Sequence, residues 1–409
     1  MTIALDGPGV SIGDVVAVAR HHDEAELTDS ARDRMERARA IVDRLSHGIP
    51  TYGLSTGFGA LATTTIPEAR RAQLQVSLIR SHAAGMGPPV EEEVVRAMMF
   101  LRARTLALGA SGTRVEVAES ILRLVNAGIT PIVPEHGSLG ASGDLAPLAH
   151  CALALIGEAD VMIGDRRVRA IDALYEAGVT PLVLAEKEGL ALTNGTDGIL
   201  GMLCLAVHDT AQLVDRADMV AAHTVEGLLA TDRAFADDLL ALRPHPGQAT
   251  SAANLRRWLA DSELIASHAS DDPRVQDAYS IRCTPQVHGA ARDTLDHVRV
   301  VAERELASAI DNPMVLPDGR VESCGNFHGA PLGFAADFLA IAVAEVGAIA
   351  ERRIDRLLDP NRSHGLPPFL ADDPGVDSGL MIGQYTAAAI TAENRRLAAP
   401  ASVDSSPTS

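Results

Sequence analysis

Three long apolar runs, at 196–230, 286–309 and 331–358, constrain this chain more than any other feature. Their apolar positions recur with the period of a helix, and few segments anywhere alternate with the period of a strand. The last run would be about 42 Å long at 1.5 Å per residue. Helices so long and apolar pack in bundles, often shared between subunits. The fold class expected is therefore mainly α, with a long central helical bundle. Shorter helical patterns precede it at 31–47, 68–83, 91–108, 115–126 and 145–156. Thr28 or Ser30 can cap the first of these and Gly48 can end it. A short β excursion is expected over 157–170, around the turn Gly164-Asp165.

Composition excludes several classes. A formal net charge of -19 repels nucleic acid and anionic lipid. The longest uncharged apolar stretches, Ile199–Val207 and Phe338–Ala344, are cut short by His208-Asp209 and by Glu345. No membrane span is expected from them. The first ten residues carry Asp6 and no basic flank, which does not fit a secretory signal. Cys151, Cys204, Cys283 and Cys324 are far apart, which argues against a disulfide framework or a zinc site. His21-His22-Asp23-Glu24 reads as a solvated charged stretch, so no metal is expected. A cytoplasmic enzyme is the expectation.

Four islands, 51–59, 136–144, 188–197 and 274–286, are too polar and glycine-rich to read as core. Two of the four tyrosines, Tyr52 and Tyr279, lie in them. Loop surface is one reading of each; a ligand site is the other, because glycine lets backbone approach a ligand closely. The second island is Gly137-Ser138-Leu139-Gly140-Ala141-Ser142-Gly143-Asp144. A nucleophile elbow around Ser142 would need a preceding strand, and none is expected. A phosphate loop would need a Gly-Lys-Ser/Thr ending, which is missing. A helix N-terminus capped by Ser142 stays open.

The stretch Gly137–His150, GSLGASGDLAPLAH, resembles the signature of the aromatic amino acid ammonia-lyase family. The resemblance runs from about residue 5 to 409. It includes Tyr52–Gly59, Leu74–Gly87, KEGLALTNGT at 187–196, RPHPGQ at 243–248, RVQDAYSIRCTPQVHG at 274–289, Asp311-Asn312-Pro313 and GNFHG at 325–329. It implies an ammonia-lyase/fumarase-like architecture. A smaller N-terminal region, 1–195, would carry the tyrosine loop and the tripeptide, and 196–409 would form the central bundle. It also implies a homotetramer with active sites shared between subunits. The family's prosthetic group is 4-methylidene-imidazol-5-one, formed when Ala141-Ser142-Gly143 cyclises and loses two waters. Gly143 has no side chain to block its nitrogen from the Ala141 carbonyl, and Asp144 would assist proton transfer.

The resemblance also implies roles. Tyr52 would take the β-proton, which requires lowering a phenol pKa of about 10. Tyr279 would be the second tyrosine of the site. Arg282 would hold the substrate carboxylate with its planar fork; its plainer reading is a surface ion pair. Asn194 would orient an oxygen near the electrophile, or simply make a turn before Gly195. Gln276 and Phe327 would line the site. His82 would set the substrate: histidine-type members carry Ser-His where this chain has Ser81-His82, and members acting on phenylalanine or tyrosine carry Phe-Leu or His-Leu. The expected reaction is elimination of ammonia from L-histidine to give trans-urocanate. The alternatives are a tyrosine or phenylalanine lyase or aminomutase, and a hydrolase using Ser142. Two departures stand out. Position 55 is Ser where histidine-type members carry Asn, and relatives continue past residue 409 through an N-Q-E-D-H-type segment without counterpart here.

Overall fold

A computed structural model describes residues 1–45, 56–57, 59–61, 63–140, 143–270 and 272–406. The expectations for Tyr52, Ala141, Ser142 and Gly48 fall outside these residues. The chain is mainly helical, and its helices match the sequence pattern closely. Asp29–Leu45 buries the stripe Ala31, Met35, Ala38 and Val42. Its cap is Thr28, whose Oγ1 accepts from the Ala31 N–H at 3.1 Å. The three long runs become Asp197–Gly227, Thr284–Leu306 and Ala330–Leu358.

The chain divides into two compact units. The first comprises Met1–Ala206, Val301–Gly333 and the residues from Ser402 onward; the second comprises Val207–Val300 and Phe334–Ala401. This differs from the expected division at 195/196. The physical reason lies in the helix Glu92–Ala107, which is buried almost throughout and includes Arg96, Arg102 and Arg104. Buried guanidinium groups must find acceptors. Arg102 donates to the Ile310 carbonyl at 2.9 Å, and Arg104 donates to the carbonyls of Glu305 and Ser308. These bonds recruit the 301–333 segment to the first unit.

Strand content in the first unit exceeds the expectation. The hairpin Asp160–Ile163/Arg166–Arg169 was legible around Gly164-Asp165, and Ile129–Pro131 adds a third strand to it. Thr2–Leu5 and Glu24–Leu27 pair in parallel, connected through Ile12–Arg20, whose capping box is Ser11/Asp14. Met86–Pro89 pairs with Pro134–His136. The island 188–197 also departs from its reading: Glu188–Thr193 is a short helix buried at every residue. The polar groups there are satisfied internally. Lys187 Nζ meets Asp311 Oδ2 at 2.8 Å, and the Glu188 carboxylate accepts from Arg114 Nε, Arg114 Nη2 and the Ala185 N–H.

In the second unit Val225, Leu228, Phe235, Leu255 and Ile281 form one core, and Val214, Ala291 and Val346 join the long helices in another. By length and composition alone, two helical stretches, Glu188–Gly227 and Ala330–Leu358, could cross a membrane, although charged residues such as Asp209, Asp337 and Glu345 interrupt them. In the first, 83% of the most apolar window is buried, as in a core helix; in the second, 28% is. Phe334, Phe338, Ile341 and Ile354 are among the residues left exposed on that second helix.

Candidate active site

Gly143 is buried and has φ +76, in the left-handed region that favours glycine. A Cβ built on it would lie 2.4 Å from the Gly195 carbonyl oxygen and 3.1 Å from that of Phe327. The position is a cradle that only glycine fits. Its walls are tied in place. Asp144 N–H donates to Gly195 O at 2.7 Å, Leu139 N–H to Gly143 O at 3.2 Å, and Gly329 N–H to Gly140 O at 2.7 Å. The motifs at 137–144, 194–196 and 325–329 therefore meet at one point of the first unit.

Asp144 follows the cradle and is wholly buried. Its Oδ1 accepts from Ser138 Oγ at 2.7 Å. Its Oδ2 accepts the N–H groups of Gly198 and Ile199 at 2.7 and 3.1 Å, in the first turn of the Asp197–Gly227 helix. Helix N-termini favour a carboxylate. Burial outweighs these bonds, and with Asp197 nearby the Asp144 pKa is pushed up to about 6. The group can hold or release a proton near neutral pH.

Asn194 is buried, and its Nδ2 donates to the Asn312 carbonyl at 2.9 Å. Its own carbonyl accepts from Arg102 Nη1 at 2.9 Å. Asn312 Oδ1 in turn accepts from Ser323 Oγ and the Cys324 N–H at 3.0 and 2.8 Å. One chain of bonds thus runs from Arg102 through Asn194 and Asn312 to the strand end that precedes Phe327. Sequence reasoning named Asn194 and Phe327 but not Arg102, Ser138 or Asn312 as site builders. Arginines inside the apolar stretch 94–107 were the available signal for Arg102, since a buried guanidinium must serve some backbone.

His82 ends the helix Arg71–His82 and is half-buried. Its Nδ1 lies 2.9 Å from Ser81 Oγ, and Ser81 Oγ donates its proton to the Leu78 carbonyl at 2.9 Å. Ser81 therefore has only a lone pair for the ring, so Nδ1 carries the proton and Nε2 is an acceptor. Burial holds the His82 pKa below the usual histidine value, keeping the ring neutral at neutral pH.

The second unit carries Gln276, Tyr279 and Arg282. Tyr279–Arg282 is a single helical turn. Tyr279 is 73% exposed and Gln276 is exposed. The Arg282 guanidinium lies 4.7 Å from the Tyr279 ring centroid, a cation–π contact. Arg282 Nε is buried without a hydrogen-bond partner among the described residues. Arg282 lines a cleft with Arg274, Arg356 and His364 in which Asp277 supplies the carboxylate. Such a cleft suits an anion. The surface ion pair, the plainer reading of Arg282, is not among the salt bridges of the described residues.

The sequence pattern of aromatic amino acid lyases matches residues 10–409. The chain belongs to the aromatic amino acid lyase family. Histidine ammonia-lyase of Streptomyces avermitilis is 62% identical, over all of this chain and 80% of that protein. Histidine ammonia-lyase of Deinococcus radiodurans is 50% identical over 96% of this chain and 75% of that one. Among solved structures, tyrosine aminomutase from Streptomyces globisporus superposes with a TM-score of 0.94 at 37% identity, covering 100% of this chain and 81% of that one. Histidine ammonia-lyase from Trypanosoma cruzi gives 0.90 at 40%, covering 100% and 77%. Membership of this lyase family removes the grounds for a hydrolase built on Ser142.

Proposed function

We propose that this lyase acts on L-histidine, eliminating ammonia to give trans-urocanate, with 4-methylidene-imidazol-5-one formed from Ala141-Ser142-Gly143. The observation that carries the reading is the glycine cradle: Gly143 stands where any side chain would strike Gly195 and Phe327. Cyclisation joins the Gly143 nitrogen to the Ala141 carbonyl, and a glycine there brings no side chain to hinder that approach. The group supplies an electrophile strong enough to make the substrate amine a leaving group.

The chain's own residues do the rest. Asp144, poised near neutral pH, holds the proton traffic of cyclisation and is oriented by Ser138. Asn194 is held by Arg102 and Asn312 beside the cradle. Arg282 binds the substrate carboxylate through two parallel bonds. Tyr52 takes the β-proton, and Tyr279 supports proton transfer. His82 offers Nε2 as an acceptor to the N–H of a substrate imidazole, which a benzene or phenol ring cannot donate in the same way. The high identity to histidine ammonia-lyases supports the same substrate.

The site is completed by other subunits, most simply in a homotetramer. Tyr279 and Gln276 face outward in the single chain, and Phe334, Phe338 and Ile341 form an exposed apolar strip on the 330–358 helix. Subunit contact would cover both. Four cysteines without disulfides fit work in the reducing cytoplasm.

The test is ultraviolet absorbance with L-histidine, L-tyrosine and L-phenylalanine, using Ser142→Ala as control. A urocanate band with histidine alone, absent in the variant, is expected. Cinnamate or coumarate instead would move the reading to the other aromatic substrates.

A further inference from the structure

His288 lies two turns from the Tyr279–Arg282 segment and is completely buried. Its Nδ1 is 2.7 Å from Asp218 Oδ1, and its Nε2 is 3.5 Å from Arg353 Nη2. A carboxylate only accepts and a guanidinium only donates. Both neighbours therefore demand one form of the ring: proton on Nδ1, lone pair on Nε2, no charge. Asp218 is itself fully engaged. Its Oδ2 accepts from Arg292 Nη2 at 2.6 Å and from Asn254 Nδ2 at 2.9 Å.

Arg353 extends the chain to the candidate site. Its Nη1 donates to the Ser280 carbonyl at 3.3 Å and to Thr284 Oγ1 at 3.1 Å. Ser280 is the neighbour of Tyr279, and Thr284 opens the helix that follows Arg282. The guanidinium therefore grips the turn from inside while Tyr279 projects outward. We propose that His288 is a positioning residue: as a neutral bridge between Asp218 and Arg353 it fixes the Tyr279–Arg282 turn, and protonating it releases that turn. The proposal rests on the lyase reading of Tyr279 and Arg282.

A second ring proton would sit on Nε2, facing the buried Arg353 guanidinium, where bulk solvent screens the repulsion little. The charged groups acting on the ring are Asp218 on the 197–227 helix, Arg353 on the 330–358 helix, and Arg292 on its own helix. Burial, Arg353 and Arg292 push against protonation, while Asp218 favours it. The balance keeps the ring neutral at neutral pH and lets it charge only on acidification.

The experiment uses the full-length assembled enzyme and two variants. His288→Met removes both contacts. His288→Gln keeps them without titrating, since its amide can donate to Asp218 and accept from Arg353. At pH 8, His288→Met is expected to lower kcat/KM for L-histidine by roughly 10- to 100-fold, the scale of a small misplacement of catalytic groups. His288→Gln is expected to stay within about threefold, given neutral hydrogen bonds on both sides. The ratio of His288→Gln to wild-type kcat/KM is then followed from pH 8 to 5.5, which cancels titration of the substrate's own imidazole. It should rise toward the acid end as the wild-type ring charges and the Gln variant does not. Hydrogen exchange of peptides covering 279–287 should quicken in His288→Met and not in His288→Gln. A flat ratio, or exchange unchanged in His288→Met, overturns the proposal. If His288→Met does not fold, the pH ratio of the Gln variant decides alone. If the wild type turns over no histidine, the substrate reading fails, and the bridge is still decided by exchange of the 279–287 peptides, which should quicken on acidification in the wild type and not in His288→Gln.

Discussion

Around Gly143 the polar groups are spent inward, whereas around Tyr279 the functional side chains point outward. The first region closes on itself: Asp144 is bonded to Gly195 and Gly198, Asn194 is bonded to Asn312, and the Phe327 carbonyl lies against Gly143, all within one unit. The second is anchored from beneath by Arg353 but leaves Tyr279 and Gln276 exposed. The contrast teaches where each half of the chemistry is secured. On the proposed chemistry, the bonds around Gly143 secure one end of the tripeptide within a single chain. In the proposed assembly a neighbouring subunit would enclose Tyr279 and Gln276.

The sharpest way to break this contrast is Gly143→Ala. Its Cβ would collide with Gly195 O, so cyclisation should fail and turnover fall by roughly 10⁴-fold or more, a small part of a typical enzymatic acceleration. Intact mass would show no loss of water. Normal turnover would mean that the cradle is incidental.

Asp144→Asn probes the same region by stability. The folded Asp144 pKa of about 6 lies above the ordinary 3.8, so this group's favourable contribution is complete below about pH 4 and lost as the pH rises through 6. The neutral variant should therefore be more stable than wild type by about 3 kcal/mol at pH 7.5, taking 1.36 kcal/mol per pKa unit, and equal to it near pH 4. Denaturant midpoints at the two pH values check this. The variant should also fail to form the prosthetic group.

In the outward-facing region, Arg282→Lys keeps the charge and loses the fork. A drop of about 30-fold in kcat/KM, mostly as a higher KM, is expected when one partner of a bidentate pair is weakened. An unchanged KM would place the substrate carboxylate elsewhere. The smallest effect is expected from His82→Leu, which should shift preference from histidine toward phenylalanine or tyrosine by roughly tenfold, the scale of one apolar contact. Competition assays with paired substrates measure the shift.

Much of this was legible in the sequence because helices and catalytic motifs are local. The stripe Ala31, Met35, Ala38 and Val42 gave the helix and its buried face directly, and the Gly-Ala-Ser-Gly run marked the cradle. The missing part is long-range. Nothing near Arg102 says that it will hold the carbonyls of Asn194 and Ile310. Glu188, in an island readable as loop surface or ligand site, and Lys187 beside it are core instead, because their partners, Arg114 and Asp311, lie 74 and 124 residues away. His288 sits in the quoted stretch ending at Gly289, yet its meaning comes from Asp218 and Arg353, both far off in sequence. Strands of two to four residues, such as Met314–Val315, are too short to show a period.

The central claim is that Ala141-Ser142-Gly143 becomes the electrophile. The most direct measurement is the intact mass of the purified wild-type chain beside Ser142→Ala, taken from the samples assayed with L-histidine. The wild type should be lighter than its sequence by two waters and produce urocanate, while Ser142→Ala has its full mass and is inactive. A wild-type chain at full mass that still releases ammonia from histidine would contradict the account.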